Sequence, residues 1–558
     1  MSTKISSNLC RHHRPAKLML RFRRRRLAIM VHNYGSNTAT SIYQKQSQSN
    51  FPVVASNFLR HKICDTIALF YNTKQLVSNS AYIKQYSYAL NQSNMCNSSN
   101  ITTTATAAAK SNDDQAQQQG APDSTHKTPL EPCDAWIEDL DLAGFASEIR
   151  ALGVTMQDAQ GLADYKHLQR MVRWSNTCAL IGLVTMGLGV NIITIAALST
   201  WTCARWTMIA HHTCHGGYDK VDFSKVGRWN RFRFAVGSTW RRISDWLDWM
   251  VPEAWNVEHN NRHHYNLSEV HDPDLVEANL TSLRDMPVPV FFKCVAVVFF
   301  MATWKWFYYA PNTYKELKLA ALRKAGKSIP AGVKPEESMT VKNIVAGQNP
   351  FYSIREFLVT VIGPYVVIRF LLLPLLMYAI GNTLHHYTGV KALDGATMYQ
   401  NALINLMAAE IMTNMHGFLI VVTNHAGSDM YRFRAPCRPF SGSFYLRQVI
   451  ASVNFNAGDD YTDFLHGWLN YQIEHHLWPN LSMLSYQRSA VSVKAICAKY
   501  GVPYIQENVF IRLYKTVQIM VGRADMRWFP AEYEALFLQQ DVAAQLALLE
   551  ENKQAKKQ

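Results

Sequence analysis

Three short histidine clusters carry the chemistry this chain could do. They are HHTCH at residues 211–215, HNNRHH at 259–264 and QIEHH at 472–476, and they hold eight of the twenty histidines. Imidazole is a good ligand for iron, zinc and copper. Each cluster lies beside, not inside, a long apolar stretch. Histidines crowded at a membrane face point to a metal centre working on a membrane-dissolved substrate. HExxH is absent, which argues against a zinc protease, and the Glu-x-x-His pairs of soluble di-iron bundles are absent too. Eight imidazoles exceed the four places around one tetrahedral zinc and could serve two metals. Cys214 lies within the first cluster. A thiolate ligand and a small buried residue are both open readings there, and the second is preferred because free cysteine commonly packs as a small hydrophobe.

The elements that position these residues follow from hydropathy. Residues 178–204 are nearly uncharged, longer than the ~20 needed to cross a bilayer. Residues 356–380 (one Arg, Arg369, after the leading Glu356) and 398–423 (one charge, Glu410) are the next strong candidates. Residues 289–310 are apolar but mix Lys293 and Lys305 with Trp304, Trp306, Tyr308 and Tyr309, as interfacial segments do. If all three clusters share one site, an even number of crossings separates the second from the third. Segment 289–310 is therefore expected in the interface. Residues 178–215 are expected to form one helix leaving the membrane, with two short spans as the alternative. That helix would place His211 and His215 one above the other at i and i+4. Lys220, Lys225, Arg228, Arg231, Arg233, Arg241 and Arg242 follow the first cluster, so the positive-inside rule makes this face cytosolic or its organellar equivalent.

Composition adds boundaries. Residues 1–112 hold fifteen Lys/Arg, including RFRRRR at 21–26, against one acid, Asp65. The formal charge of +15 arises almost wholly there, so a nucleic-acid-binding body is not supported. A disordered basic arm is expected over 1–128, whose Arg-rich, acid-poor, hydroxyl-rich composition fits either an organelle transit peptide or a tail that is not cleaved. Amphipathic soluble or interfacial helices are expected over 129–174, the membrane domain over 175–527, and a C-terminal helix and tail over 528–558. Within the membrane domain, 491–527 reads as a soluble cap. Ten scattered cysteines without a CxxC pair argue against a zinc ribbon or disulfide scaffold and suit a reducing compartment.

On these residues the chain resembles the membrane fatty acid desaturases, over roughly residues 174–521. HHTCH matches the HxxxH box through His211 and His215. WNVEHNNRHH matches the second box through His259, His263 and His264. LNYQIEHHLWPNLS at 469–482 is similar to the third box of front-end desaturases, in which Gln replaces the first histidine. The resemblance implies an all-α integral membrane protein of about four spans, with a histidine-rich di-metal domain on its cytosolic face. It also implies two non-haem iron ions, with O2 as co-substrate. Carried over residue by residue, it makes His211, His215, His259, His263, His264, His475 and His476 ligands. His425, in VVTNHAGSD, takes the place of a further histidine after the last span; His416, near mid-span, fits less well. His212 and Gln472 are assigned supporting places around the cofactor, Gln472 holding a water or a ligand's orientation. Glu258 and Glu474 precede ligands and could fix ring tautomers or be plain solvated acids. Asp272, Asp274 and His271 are read as stabilising their loop, and His385 and His386 as lying on the far face.

The implied reaction is reductive activation of O2 and removal of two hydrogens from adjacent methylenes of an acyl lipid or acyl-CoA, with water as the other product. No HPGG haem motif of a fused cytochrome b5 domain occurs; the nearest, HGG at 215–217, belongs to the first box. An external donor is therefore expected, either cytochrome b5 or ferredoxin with its reductase, in the endoplasmic reticulum or plastid membrane, with the active face cytosolic or stromal. A lipid hydroxylase on the same scaffold is the nearest alternative. A membrane metal- or haem-binding transporter is the alternative of another class, but it would place polar ligands at mid-bilayer.

Overall fold

The computed structural model describes residues 130–329, 344, 347 and 349–555. The arm expected over 1–128 lies outside them. The chain enters through helix α1 (Leu142–Asp158), whose N-cap Asp141 accepts from Gly144 N. α1 buries Phe145 and Ile149 against the rest of the fold. Helix α2 (Leu162–Thr185) starts where Asp164 accepts from Gly161 N at 2.8 Å. A turn over 186–191 leads into α3 (Ile192–Cys214). Three long helices follow: α4 (Val290–Lys324), α5 (Ile354–Thr388) and α6 (Gly395–Asn424).

The single helix expected over 178–215 is instead an antiparallel hairpin. MGLGVN at 186–191 supplies two glycines and the N-cap Asn191, which accepts from Thr194 N at 2.8 Å. Across the hairpin Thr185 Oγ1 and Thr194 Oγ1 lie 2.6 Å apart. A Cβ on Gly182 would meet Leu198 Cδ2 at 2.5 Å, so the close approach of the two helices requires that glycine. The carbonyls freed by the turn are taken up from α6: Asn405 Nδ2 donates to Met186 O (3.0 Å) and Gly189 O (2.8 Å), and Asn401 Nδ2 to Gly187 O (3.1 Å). Backbone groups away from water need such partners. Tight hairpin geometry is therefore made possible by residues more than 200 positions away. α2 was hidden from hydropathy because its first half is polar.

α5 and α6 form a second hairpin, closed by Gly389 at φ +67° and by Asp394 capping Ala396 N and Thr397 N. The two hairpins pack together with both turns at one end, where Gly187 approaches Met377 and Met398. The three boxes lie at the other end. The outer surface of the bundle is apolar, with Leu180, Val184, Ile192, Ile193, Val359, Leu376, Ile404 and Met407 exposed. A water-soluble protein does not carry such a continuous patch.

Length and composition place four helices in the membrane-spanning range: α3, α4, α5 and α6. The contacts of α4 set it apart. Near its start Lys293 Nζ donates to Arg284 O at 2.5 Å, and near its end Glu316 pairs with Arg262 of the second box at 3.0 Å. Both ends of α4 thus lie against the histidine-bearing layer, a placement compatible with the interface, although its length and composition would also let it cross. An interfacial α4 requires α2 to cross in its place, so that α2, α3, α5 and α6 would supply four crossings, two of them between the second box and the third.

Charges inside the bundle are paired. Arg369 Nε lies 2.7 Å from Glu410 Oε1, and Glu410 also accepts from Trp249 Nε1 (2.8 Å) and Tyr365 OH. Lys305 Nζ lies 2.8 Å from Asp248 Oδ1 and 4.6 Å from the Trp206 ring centroid. Removing one partner of a buried pair costs ~3–5 kcal/mol, because the other charge is stranded.

The histidine end is covered by a helical cap: α7 (Gly442–Ile450), α8 (Gln472–Leu477), α9 (Met483–Lys499), α10 (Val509–Met520) and α11 (Ala531–Ala555). Two parallel two-residue strand pairs stitch it: Tyr431–Arg432 with Arg527–Trp528, and Asn454–Phe455 with Gln506–Glu507. This arrangement predicts a sided labelling pattern. Glycosylation acceptor tags inserted at Gly326 and Gly458 should report one side of the membrane, and a tag at Gly389 the other. A tag at Gly326 sharing its side with Gly389 would reject the interfacial placement of α4.

Candidate metal centre

Local backbone geometry aims the boxes. In α3 a wide turn over Arg205–Ala210, in which each N–H reaches one residue further than in an α-helix, precedes His211. A second such turn, Asn256–Asn260, contains His259 and follows the short helix Pro252–Trp255. Insertions of this kind shift the angular position of everything that follows and are common at functional sites. The third box is set by a sharp reversal. Gly467 and Trp468 both have positive φ (64° and 60°), and Trp468 Nε1 donates to Met483 O at 2.8 Å. Asp463 then accepts from Asn470 Nδ2 (2.5 Å) and Tyr471 OH (2.9 Å), which fixes the entry into α8.

The result is two adjoining groups of imidazoles. In the first, ligand atoms of His211, His215, His259, His264 and His475 all lie within 4.8 Å of one another. His475 Nε2 is 2.8 Å from His211 Nε2 and 3.0 Å from His264 Nε2, and His259 Nε2 is 3.4 Å from His211 Nε2. In the second group, His263, His425 and His476 meet the same limit. Gln472 Nε2 stands 2.9 Å from His425 Nε2 and 3.1 Å from His476 Nε2. The groups touch where His264 stacks on His476 at 4.3 Å between centroids.

All eight rings are buried, from 0 % exposed for His475 to 7 % for His425. Burial first, and neighbouring imidazoles second, hold His259, His264, His475 and His476 well below the ordinary histidine range. A neutral ring presents a lone pair, which is the ligating form. Several nitrogens converging at 2.8–3.4 Å cannot all be satisfied by shared protons, so the donor set fits cations. Five nitrogens beside three nitrogens and an amide suit two metal ions better than one.

Three partners fix ring orientation, and none is the acid beside a ligand. Asp272 Oδ1 accepts from His263 Nδ1 at 2.9 Å, while the same carboxylate takes Ser268 N (2.8 Å) and Asp274 N (2.9 Å). Burial pulls the His263 pKa down, but Asp272 and Asp274 outweigh it and leave the ring above its ordinary value. The expectation that Asp272 serves only its loop is therefore incomplete. Gln448 Oε1 lies 3.2 Å from His476 Nδ1, and Tyr486 OH lies 3.4 Å from His475 Nδ1. Glu258 and Glu474 reach no ring. Glu474 accepts from Asn454 Nδ2 (2.8 Å) and Tyr504 OH (2.9 Å), and burial pushes its pKa up to about 7 against those bonds. Residues adjacent on a helix point about 100° apart, so sequence neighbours of a ligand face elsewhere.

His212 belongs to neither group; its Nδ1 donates to Met208 O at 2.7 Å. Cys214 is buried and also outside both. His416 bonds Leu465 O at 2.7 Å, and His385 and His386 sit exposed at the end of α5, away from the boxes. Trp255, one of the tryptophans that the sequence places in a belt at this membrane face, closes the first group. It stacks on His259 at 4.5 Å and meets His211 and His215 edge-on at 5.3 and 5.7 Å.

Comparison with known proteins bears on this site. The family model described as Fatty acid desaturase matches residues 185–508. The NADPH-dependent stearoyl-CoA 9-desaturase of Mycobacterium tuberculosis is 28% identical over 132 residues, covering 23% of this chain and 31% of that protein. The Delta(8)-fatty-acid desaturase of Euglena gracilis is 34% identical over 134 residues, 23% of this chain and 29% of its own. Fatty acid desaturase 3 of Bos taurus is 50% identical over 44 residues, 8% of this chain and 10% of its own. The chain thus spans less than a third of the length of these curated relatives. No solved structure matches.

The contact of Asp272 with His263 sets a measurable expectation. Asp272→Ala should weaken metal retention about 10–100-fold, as loss of a ligand's orienting carboxylate does. His385→Ala should leave it unchanged. Metal-to-protein ratios after dialysis against graded chelator would check this, and wild-type retention in Asp272→Ala would count against it.

Proposed function

The chain belongs to the fatty acid desaturase family, and we propose that it introduces a C=C bond into the acyl chain of a membrane lipid or acyl-CoA at a centre of two iron ions. The observation that carries this reading is the pair of adjoining, all-buried imidazole groups at one end of an apolar helical bundle. His211, His215, His259, His264 and His475 would hold one iron; His263, His425 and His476, with Gln472 beside them, would hold the other. The chemistry such a pair supplies when bound is reductive activation of O2 and abstraction of two hydrogens from neighbouring methylenes.

What this chain's own residues do is position and exclude. A methylene carries no group that a side chain could polarise, so selectivity must come from holding one carbon at the metals. Trp255 walls the first group, and Trp206, five residues before His211, lies among Trp304, Tyr309 and Lys305 beneath it. Asp272, Gln448 and Tyr486 keep ring N–H groups turned outward so that the opposite nitrogens face inward. Electrons would come from a separate cytochrome b5 or ferredoxin with its reductase. The domain bounds 129–174, 175–527 and 528–558 belong to this reading, as do the arm at 1–128 and residence in the endoplasmic reticulum or plastid membrane. Ligands gathered outside the bundle, at one end, do not suit a transporter pathway.

Expression in a host lacking the activity, with and without ferredoxin, followed by mass spectrometry of double-bond positions, tests the proposal. New unsaturation is expected from the wild type. His211→Ala or His475→Ala should abolish it while the protein stays in membranes. Full product from either variant would sink the ligand assignment, and a hydroxy-lipid instead of an alkene would move the chain to the hydroxylases.

A further inference from the structure

Helix α7 brings a residue to the second histidine group that no box contains. Gln448, near its C-terminal end, is 1 % exposed, and its Oε1 faces His476 Nδ1 at 3.2 Å. An amide oxygen only accepts, so this contact selects the tautomer with the proton on Nδ1. That leaves the Nε2 lone pair free on the side of Gln472 and the other two rings. A leucine there would let the proton sit on either nitrogen and the ring turn.

α7 has nine residues, too few to be stable alone. It is held by the C-terminal helix. Asp541 of α11 accepts from Gly442 N at 2.8 Å and from Ser443 N at 3.2 Å, covering the exposed start of α7. Glu534 of α11 lies 3.2 Å from Arg447, which also pairs with Glu269 at 2.8 Å. The two acids are seven residues apart, hence on one helix face, and both are buried. Beyond Asp541, Val542, Leu546 and Leu549 are exposed. The buried acids of α11 thus both serve the stretch that carries Gln448.

We propose that Gln448 is a positioning residue that fixes His476 as a metal ligand, and that α11 is the clamp that holds Gln448 in register through Asp541 and Glu534. This rests on the reading of the second histidine group as a metal site. The ring donates outward to Gln448 and presents its other nitrogen inward. Losing the acceptor loosens one of the two metals and leaves the five-histidine group intact.

The test uses the full-length protein purified in detergent and loaded with iron, comparing wild type, Gln448→Leu, Gln448→Glu and Asp541→Ala. Iron per chain after chelator challenge and the Mössbauer spectrum of enriched protein are read beside desaturation. Gln448→Leu should retain about one iron where the wild type retains two, with affinity for the second down about 10–100-fold. Gln448→Glu, which keeps an acceptor of similar size, should hold both. Asp541→Ala should shift iron in the same direction as Gln448→Leu, and the double variant should lose little more, because both act through one ring. Two tightly held irons in Gln448→Leu would overturn the inference alone, and Gln448→Glu as defective as Gln448→Leu would reduce the contact to packing and overturn it too. A wild type that takes up no metal would instead overturn the reading of the site beneath it.

Discussion

Eight buried imidazoles directing their nitrogens into one space are the constraint on which the rest of the structure depends. Without a cation the arrangement is costly. Rings are stripped of water, and Nε2 atoms approach within 2.8–3.4 Å with too few protons to share. With cations the same lone pairs become the source of stability. The surrounding protein therefore has to keep the rings neutral, fix each tautomer and prevent the cluster from relaxing apart. Burial does the first, as the depressed pKa values of His259, His264, His475 and His476 indicate. Asp272, Gln448 and Tyr486 do the second for His263, His476 and His475. Closure by Trp255 and the helical cap does the third.

Polarity is partitioned along the long axis of the bundle. The outer faces of α2, α3, α5 and α6 are apolar, while polar groups in the interior find partners within reach: Arg369 with Glu410, Lys305 with Asp248, and Asn401 and Asn405 with the carbonyls of the 186–191 turn. Arg242 extends the same rule to the rim of the bundle, donating to Thr360 O and Val361 O near the start of α5. The segment between the first two boxes is thereby fastened to helices that come much later in the chain.

The boxes and their common side were legible because two properties survive in one dimension: ligand type at fixed spacing, and the parity of apolar segments between clusters. His425 was legible only through the family resemblance. What was not legible depended on distance along the chain. α2 carries Tyr165, Lys166, Arg170 and Arg173 in its first half, so its apolar second half merged with α3 into what read as one segment. Glu258 and Glu474, read either as ring partners or as solvated acids, are buried and reach no ring, because sequence adjacency is a poor guide to where helical side chains point. Gln448 stands 28 residues from the ring it faces, with nothing around it in the sequence to mark it. Arg369 and Glu410 each read as a lone exception in a span, and only the packing of α5 on α6 shows them to be one pair.

His211 and His475, whose nitrogens nearly touch, are separated by 264 positions. At a synthesis rate of ~5–20 residues per second, about 10–50 s pass between the appearance of the first ligand and the last. Through most of that interval the first two boxes are already made while His475 and His476 are not. Both imidazole groups therefore stay incomplete until α8 arrives, so the order of synthesis itself makes the cap the last event in closing the site.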